Sequence, residues 1–323
     1  MAPNVSQLLT FTIENRTKKL ADLVSNNVAL LYRLRQKNNV QPFDGGVKIY
    51  QELEYAENAT AMWYSGAEPL NVSQSDIATA AEYEIKQAAV AVIMTGLEEL
   101  QNAGKSRMIS AITAKVKNAE RTLLNLVGAA VYADGTGTSG KELGGLQYLV
   151  ADTPTGSTLI GGINQNTYSW WRNIYYSGAT DGGAAVSQSN ILKYYNAVWY
   201  QLVRNMEKPD FVATDNNYYN FIEQELQALQ RITDSKLADA GFQALKYKGA
   251  DVVLDGGVDG SCPSNHAYFL NTDYIFLRPH TDMNFSPLGS KREAFNQDVT
   301  AKFLGFAGNM TCSNRRMQGL LKA

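Results

Sequence analysis

The clearest hydrophobic period in the chain runs from Lys105 to Ala133, where Ile109, Ile112, Val116, Ala119, Leu123, Leu126 and Ala130 recur at intervals of three and four. That spacing predicts a helix with one apolar side, roughly 40 Å long at 1.5 Å per residue. The first forty residues predict another helical segment, with Leu20, Leu23, Leu30, Leu31 and Leu34 on a broken stripe. Between them the period changes to two. Val47, Ile49, Leu53 and Tyr55 alternate with Lys48, Glu52 and Glu54, as expected of a strand with one apolar face. A polar turn at Glu57 to Thr60 then leads to Ala61-Met62-Trp63-Tyr64, the expected return strand of a long hairpin. A hairpin of this length is marginal alone, so it is expected to lie on another surface.

After an apolar stretch around Val90 to Met94 and the long helix, the sequence turns glycine-rich at Gly135, Gly137, Gly140, Gly144 and Gly145, and again at Gly161-Gly162 and Gly182-Gly183. These predict loops and tight turns. The aromatic run Tyr168 to Tyr176 lies among them. A helix is expected from about Asn190, with Leu192, Tyr195, Trp199, Leu202 and Met206 on its stripe. Next come a strand at Asp210 to Ala213, a Thr214-Asp215 cap and a helix carrying Ile222, Leu226, Leu229 and Ile232. Ala267 to Leu270, Tyr274 to Leu277 and Ala301 to Leu304 read as short strands. The fold class is α+β.

Charge sharpens this map. The net charge is only −2, which makes no general case for nucleic acid or membrane. Locally it is unbalanced. The segment from Gln41 to Asp76 holds Asp44, Glu52, Glu54, Glu57, Glu68 and Asp76 against Lys48, whereas the long helix holds Lys105, Arg107, Lys115, Lys117 and Arg121 against Glu120. The first segment is also basic, with Arg16, Lys18, Lys19, Arg33, Arg35 and Lys37 against Glu14 and Asp22. Cys262 and Cys312 are too few and too far apart for a disulfide framework, and are expected to be free thiols. Met1 to Thr10 lacks the pattern of a signal peptide, and no apolar stretch approaches the ~20 residues of a membrane helix. The six Asn-x-Ser/Thr triplets, such as Asn58-Ala59-Thr60, are read as chance.

Candidate chemistry is thin. Gly135 to Lys141 has the spacing of a phosphate-binding loop, but its next position, which needs a hydroxyl for magnesium, is Glu142. His266, His280, Cys262 and Cys312 lack zinc-site spacing, and Asp255 to Gly260 reads as turns before a calcium loop. No catalytic, cofactor or metal residue is therefore assigned. The aromatic run contains only Arg172 as a base, which argues against a single-strand nucleic-acid platform.

Three strings carry a resemblance: Tyr50-Gln-Glu-Leu-Glu-Tyr55-Ala-Glu-Asn58, then Tyr132-Ala-Asp-Gly-Thr-Gly137 leading to Leu143-Gly-Gly-Leu146, and Thr167-Tyr-Ser-Trp-Trp-Arg-Asn173. With the order of elements, they resemble the major capsid proteins of tailed bacteriophages, which have the Hong Kong 97-like (Johnson) fold. The resemblance implies an N-terminal arm (1–41), an E-loop hairpin (42–76), a peripheral domain (77–139) with the spine helix at 105–133, an axial domain (140–262) and strands returning to the peripheral domain (263–323). It also implies a non-enzymatic subunit that self-assembles into hexamers and pentamers of an icosahedral head. Expected partners are portal and scaffolding proteins, a cement protein and non-specifically contacted packaged double-stranded DNA. Assembly is expected in the bacterial host cytoplasm, with the product in the virion and no membrane involved. A tail-tube subunit and a nucleotide-binding enzyme are the competing readings. In the family the hairpin of one subunit crosses its neighbour, so Lys48, Glu52, Glu54, Glu57, Lys105, Arg107, Lys115, Lys117 and Arg121 are the expected intersubunit contacts.

Overall fold

The computed structural model describes residues 28–101, 105–229, 244–255, 262–288, 292–293 and 299–323. In chain order the elements are helix α1 (Ala29–Gln36), strands β1 (Lys48–Glu54), β2 (Ala78–Glu84) and β3 (Lys86–Thr95), helices α2 (Gly96–Gln101) and α3 (Lys105–Ala130), and strand β4 (Ile174–Ser177). There follow helix α4 (Ile191–Leu202), strand β5 (Phe211–Thr214), helix α5 (Asn216–Leu229) and strands β6 (Ala244–Tyr247) and β7 (Ala250–Leu254). Strands β8 (His266–Leu270), β9 (Ile275–Pro279), β10 (Val299–Cys312) and β11 (Gly319–Lys322) close the chain. Residues 1–27 of the expected arm, the helix end carrying Ile232 and the expected turn at 256–260 lie outside the described residues.

The described end of the arm packs on its own chain. Leu30, Leu31 and Leu34 of α1 are fully buried in the core. Arg33 and the following Lys37 also turn to the body: Arg33 donates to Asp210 at 3.0 and 3.1 Å, and Lys37 lies 3.0 Å from Asp210 and 2.7 Å from Asp273. Burial alone would raise the Asp210 carboxyl. The Thr272 N–H and hydroxyl and the Lys37 ammonium outweigh it and hold the group below the usual carboxylate range.

The hairpin differs from the expected one in its return strand. β1 pairs antiparallel with β2, from Lys48↔Glu84 to Glu54↔Ala78, while Ala61 to Tyr64 are exposed coil. The reason is the face each run can offer. In this register Tyr83 falls opposite Ile49 and Ala81 opposite Gln51, so these four residues share the buried side with Leu53, whereas Ala61 to Tyr64 have no alternation to match β1. Gln51 is the polar member of that face, and its amide oxygen accepts from Arg278 (3.0 Å) and Thr311 (3.1 Å).

The spine forms over Lys105–Ala130, close to the expected span, and packs against β3. Its buried side is Ile112, Val116, Ala119, Leu123, Leu124 and Val127, whereas Leu126 is 49% exposed. A strict three-four repeat drifts about 20° per heptad on a straight helix, so two heptads beyond Ile112 the stripe has moved off the core. Leu124 and Val127 take over.

Two sheets flank these elements. In one, β10 pairs with β3 from Val299↔Thr95 to Gly308↔Lys86, and with β9 and two-residue strands at 286–287 and 292–293. The other has the order β4-β11-β8-β5-β7-β6, with β4/β11 and β5/β7 parallel and the remaining pairs antiparallel. Strand β5 is buried at every position, because this sheet is covered on both sides. Val212, Ala267, Phe269 and Leu321 face α4 and α5, while Phe211, Ala213, Tyr268 and Leu320 join the core that holds the spine and hairpin root. Asp215 caps α5 as expected, its Oδ1 accepting from the Tyr218 N–H at 3.0 Å. Met206, expected on the α4 stripe, lies past the helix end and is 94% exposed. The closing strands divide: β8 and β11 stay in the six-stranded sheet, and β9 and β10 join β3.

Candidate assembly surface

The hairpin has a fixed root and an exposed loop. At the root, Ile49, Leu53, Ala81 and Tyr83 are buried, and the Tyr83 hydroxyl lies 3.3 Å from both the carbonyl and the N–H of Cys312. From Tyr55 to Ile77 the chain makes no ladder. Its neck is closed by one backbone bond, from the Tyr55 N–H to the Ile77 carbonyl at 3.1 Å. Beyond it Trp63 is 98% and Val72 91% exposed, and Met62, Tyr64 and Leu70 are exposed with them. Single exposed apolar residues are ordinary, but this many on one projecting loop mark a surface meant to be covered. Two of the Asn-x-Ser/Thr triplets have a conformational role here. Asn58 Oδ1 accepts from the N–H and hydroxyl of Thr60, and Asn71 Oδ1 from those of Ser73, which turns the loop without strand pairing.

The structure sorts the nine expected contact residues into groups. Lys48 is paired within the root, 2.5 Å from Glu82, and that hydrogen bond raises its pKa. Lys115 donates to Glu98 at 2.7 and 2.8 Å and to the Ile93 carbonyl at 2.9 Å, and it holds the Glu98 carboxyl below its usual range. Glu57 lies 3.7 Å from Arg204 of the same chain. The side chains of Lys105 and Arg107 lie outside the described residues. Glu52 and Glu54 on the outer face of β1, and Lys117 and Arg121 on the outer face of α3, are exposed, and none forms an ion pair among the described residues. Among those residues no hairpin acid reaches a spine base within one chain.

Other candidate chemistry takes structural form. The Glu142 carboxylate folds over Gly137 and accepts from the Thr138 hydroxyl at 3.0 Å; a Cβ added at Gly137 would lie 2.2 Å from Glu142 Oε2. The mouth of the glycine loop is thus filled by an anion that repels phosphate. Cys262 and Cys312 are buried free thiols, and the Cys262 thiol approaches the His266 carbonyl at 4.0 Å. Among the described residues no group of three His, Cys, Asp or Glu side chains is placed to hold a metal ion, and no helix is long and apolar enough to cross a membrane.

One contact carried no signal in the hydrophobic pattern. The Tyr55 ring stacks on Trp170 with centroids 4.9 Å apart and planes 22° from parallel, joining the neck of the loop to the aromatic run far along the chain.

No protein-family model matches the chain, and no curated protein matches it. Solved structures do. The chain is similar to a chain of the cyanophage A-1(L) capsid asymmetric unit, with a TM-score of 0.63 and 15% identity over 88% of this chain and 90% of that one. It is similar to the capsid of a native GTA particle, with a TM-score of 0.57 and 11% identity over 90% and 89%. A third is the satellite phage P4 procapsid, which includes a size determination protein; its TM-score is 0.50, with 13% identity over 95% and 90%. The chain has the α+β, Hong Kong 97-like fold of phage capsids that the sequence resemblance implies.

Proposed function

We propose that the chain is the major capsid protein of a tailed phage, a shell-forming subunit that associates with copies of itself into hexamers and pentamers of an icosahedral head. The observation that carries this reading is the hairpin: a root locked into the core and a loop whose Met62, Trp63, Tyr64, Leu70 and Val72 have no cover among the described residues of their own chain. In a fold shared with capsid chains, a neighbouring copy is the cover, and a head-to-tail contact of this kind closes into rings. Nothing in this arrangement calls for catalysis or a cofactor. Packaged double-stranded DNA, a portal, a scaffolding protein and a cement protein are partners the reading includes, with assembly in the host cytoplasm and the product in the virion.

Within that reading Glu52 and Glu54 of one subunit face Lys117 and Arg121 of the next. Lys48, Glu57 and Lys115 have partners in their own chain and act locally. The test is electron microscopy of the purified protein, expressed alone and with its scaffold if one is encoded beside it. Closed particles or capsomers are expected. A monodisperse monomer under every assembly condition overturns the reading, and open tubes would place the chain in a tail instead.

A further inference from the structure

We propose that the Tyr55–Trp170 stack is a positioning latch that sets the direction in which the hairpin loop leaves the body, and that the aromatic run Tyr168 to Tyr176 serves to hold it. The latch rests on the assembly reading, since a fixed direction matters only to a loop that must meet a neighbour.

Contacts around the neck are sparse. Past Tyr55 and Ile77, the hydrogen bonds of the loop among the described residues join its own residues, such as Asn58 to Thr60, Asn71 to Ser73 and Asn71 to Ala59. Its ion pair with the body, Glu57 with Arg204 at 3.7 Å, joins groups that are 96% and 69% exposed and so restrains it little. The Tyr55–Ile77 backbone bond ties the two legs of the loop to each other, not to the body. Among the described residues the ring stack is the aromatic contact at the neck that ties the loop to the body.

Trp170 is held from behind. Its ring lies 5.8 Å from that of Trp171, which is 1% exposed and donates its Nε1 proton to the Ile160 carbonyl at 2.9 Å. Arg315, fully buried 5.5 Å from the centre of the Trp171 ring, donates to the Trp171 carbonyl at 2.8 Å and to the Leu149 carbonyl at 2.6 Å. Asn173 and Gln165 take its remaining bonds at 2.9 and 3.2 Å. A rigid file of packed groups, Arg315, Trp171, Trp170 and Tyr55, thus runs from the interior to the neck. A small rotation at the neck becomes a large displacement at Trp63, so this file determines where the loop meets its neighbour. The adjacent tryptophans divide the labour: Trp171 anchors and Trp170 presents.

Spin labels at Ser65→Cys and Asn118→Cys measure the distance from loop to spine in the isolated subunit; the native cysteines are buried and stay unlabelled. A narrow distribution is expected in the parent, a broad one in Trp170→Ala, and a narrow one again in Trp170→Phe, which keeps a ring. Tyr55→Ala must broaden it as Trp170→Ala does, and serves if the latter fails to fold. Proteolysis between residues 56 and 77 should accelerate about 2- to 10-fold in the alanine variants, the population change expected from losing one aromatic pair. Particles from those variants should be mixed in diameter. Equal widths in the parent and both alanine variants overturn the latch, as does uniform assembly of folded Trp170→Ala. Broadening that Trp170→Phe leaves uncorrected overturns it too, because that marks general loosening. A parent that shows the expected distances yet never assembles overturns the assembly reading and leaves the latch standing.

Discussion

Arg315 is fully buried and Asp255 half-buried, and burial moves the pKa values of the two in opposite directions. Arg315 meets no carboxylate among the described residues; four protein oxygens take its protons, and burial pulls its pKa down to about 10. A guanidinium tolerates this because its planar fork of donors fits carbonyls converging from separate segments. Arg316 beside it is exposed, and nothing in the string Ser313-Asn-Arg-Arg-Met317 says which arginine turns in. Asp255 follows β7, where its carboxylate accepts from the hydroxyl of Tyr132, two residues past the end of the spine. Burial pushes it up to about 6, against the smaller opposing effect of that hydrogen bond. A folded pKa above the unfolded value near 3.9 means that the stability this group confers is full below about pH 4 and is lost as pH rises through about 6. Asp255→Asn keeps an acceptor for Tyr132 and removes the charge. It should therefore be more stable than the parent by about 2 kcal/mol at pH 7.5, with the difference vanishing near pH 4. Urea denaturation at the two pH values checks this, and an equal difference at both would refute it.

At the scale of elements, the spine shows how far periodicity carries. Its span and its Ile112, Val116, Ala119 and Leu123 positions were legible from spacing, and the exchange of Leu126 for Val127 was not, because the repeat is 3.5 and the helix turns every 3.6. The pair gives a direct contrast. Leu123→Ala, at a fully buried position, should cost about 2–5 kcal/mol, and Leu126→Ala less than about 1 kcal/mol, measured by denaturant midpoints. Equal losses would put the helix in another rotation. On the hairpin, Glu52→Lys with Glu54→Lys should leave the subunit folded, because both lie on the exposed face of β1. Assembly at low salt should fall, and adding Lys117→Glu with Arg121→Glu should restore part of it. Each exposed pair contributes only about 0–1 kcal/mol, yet the shell repeats it in every subunit. Light scattering of the four combinations reads the coupling. Unimpaired assembly of the hairpin variant would remove these charges from the interface while leaving the hydrophobic loop in place.

In the whole molecule, two cores share the six-stranded sheet, and α1 fastens to that sheet through Arg33, Lys37, Asp210 and Asp273. The pairs of Arg33 and Lys37 with Asp210 are partly buried and screen less than surface charges, so 0.5 M salt should weaken assembly while shifting the subunit's melting midpoint little. A midpoint that falls as steeply as assembly does would mean the interface and the fold depend on the same charges. The sequence by itself determined the α+β class, the long spine, the first strand of the hairpin, the Asp215 cap and the imbalance of charge between hairpin and helix, because each is written in spacing or composition within a short window. Only the tertiary structure decided that Ala78–Glu84, not Ala61 to Tyr64, returns the hairpin, since strand partners are chosen by which face can be buried. It also decided that α1 belongs to the body, that Lys48, Glu57 and Lys115 find partners at home, and that Tyr55 meets Trp170. Those contacts join residues that lie far apart in sequence or on different elements. A local pattern records which residues want burial or a counter-charge, and the folded chain alone settles which ones are within reach.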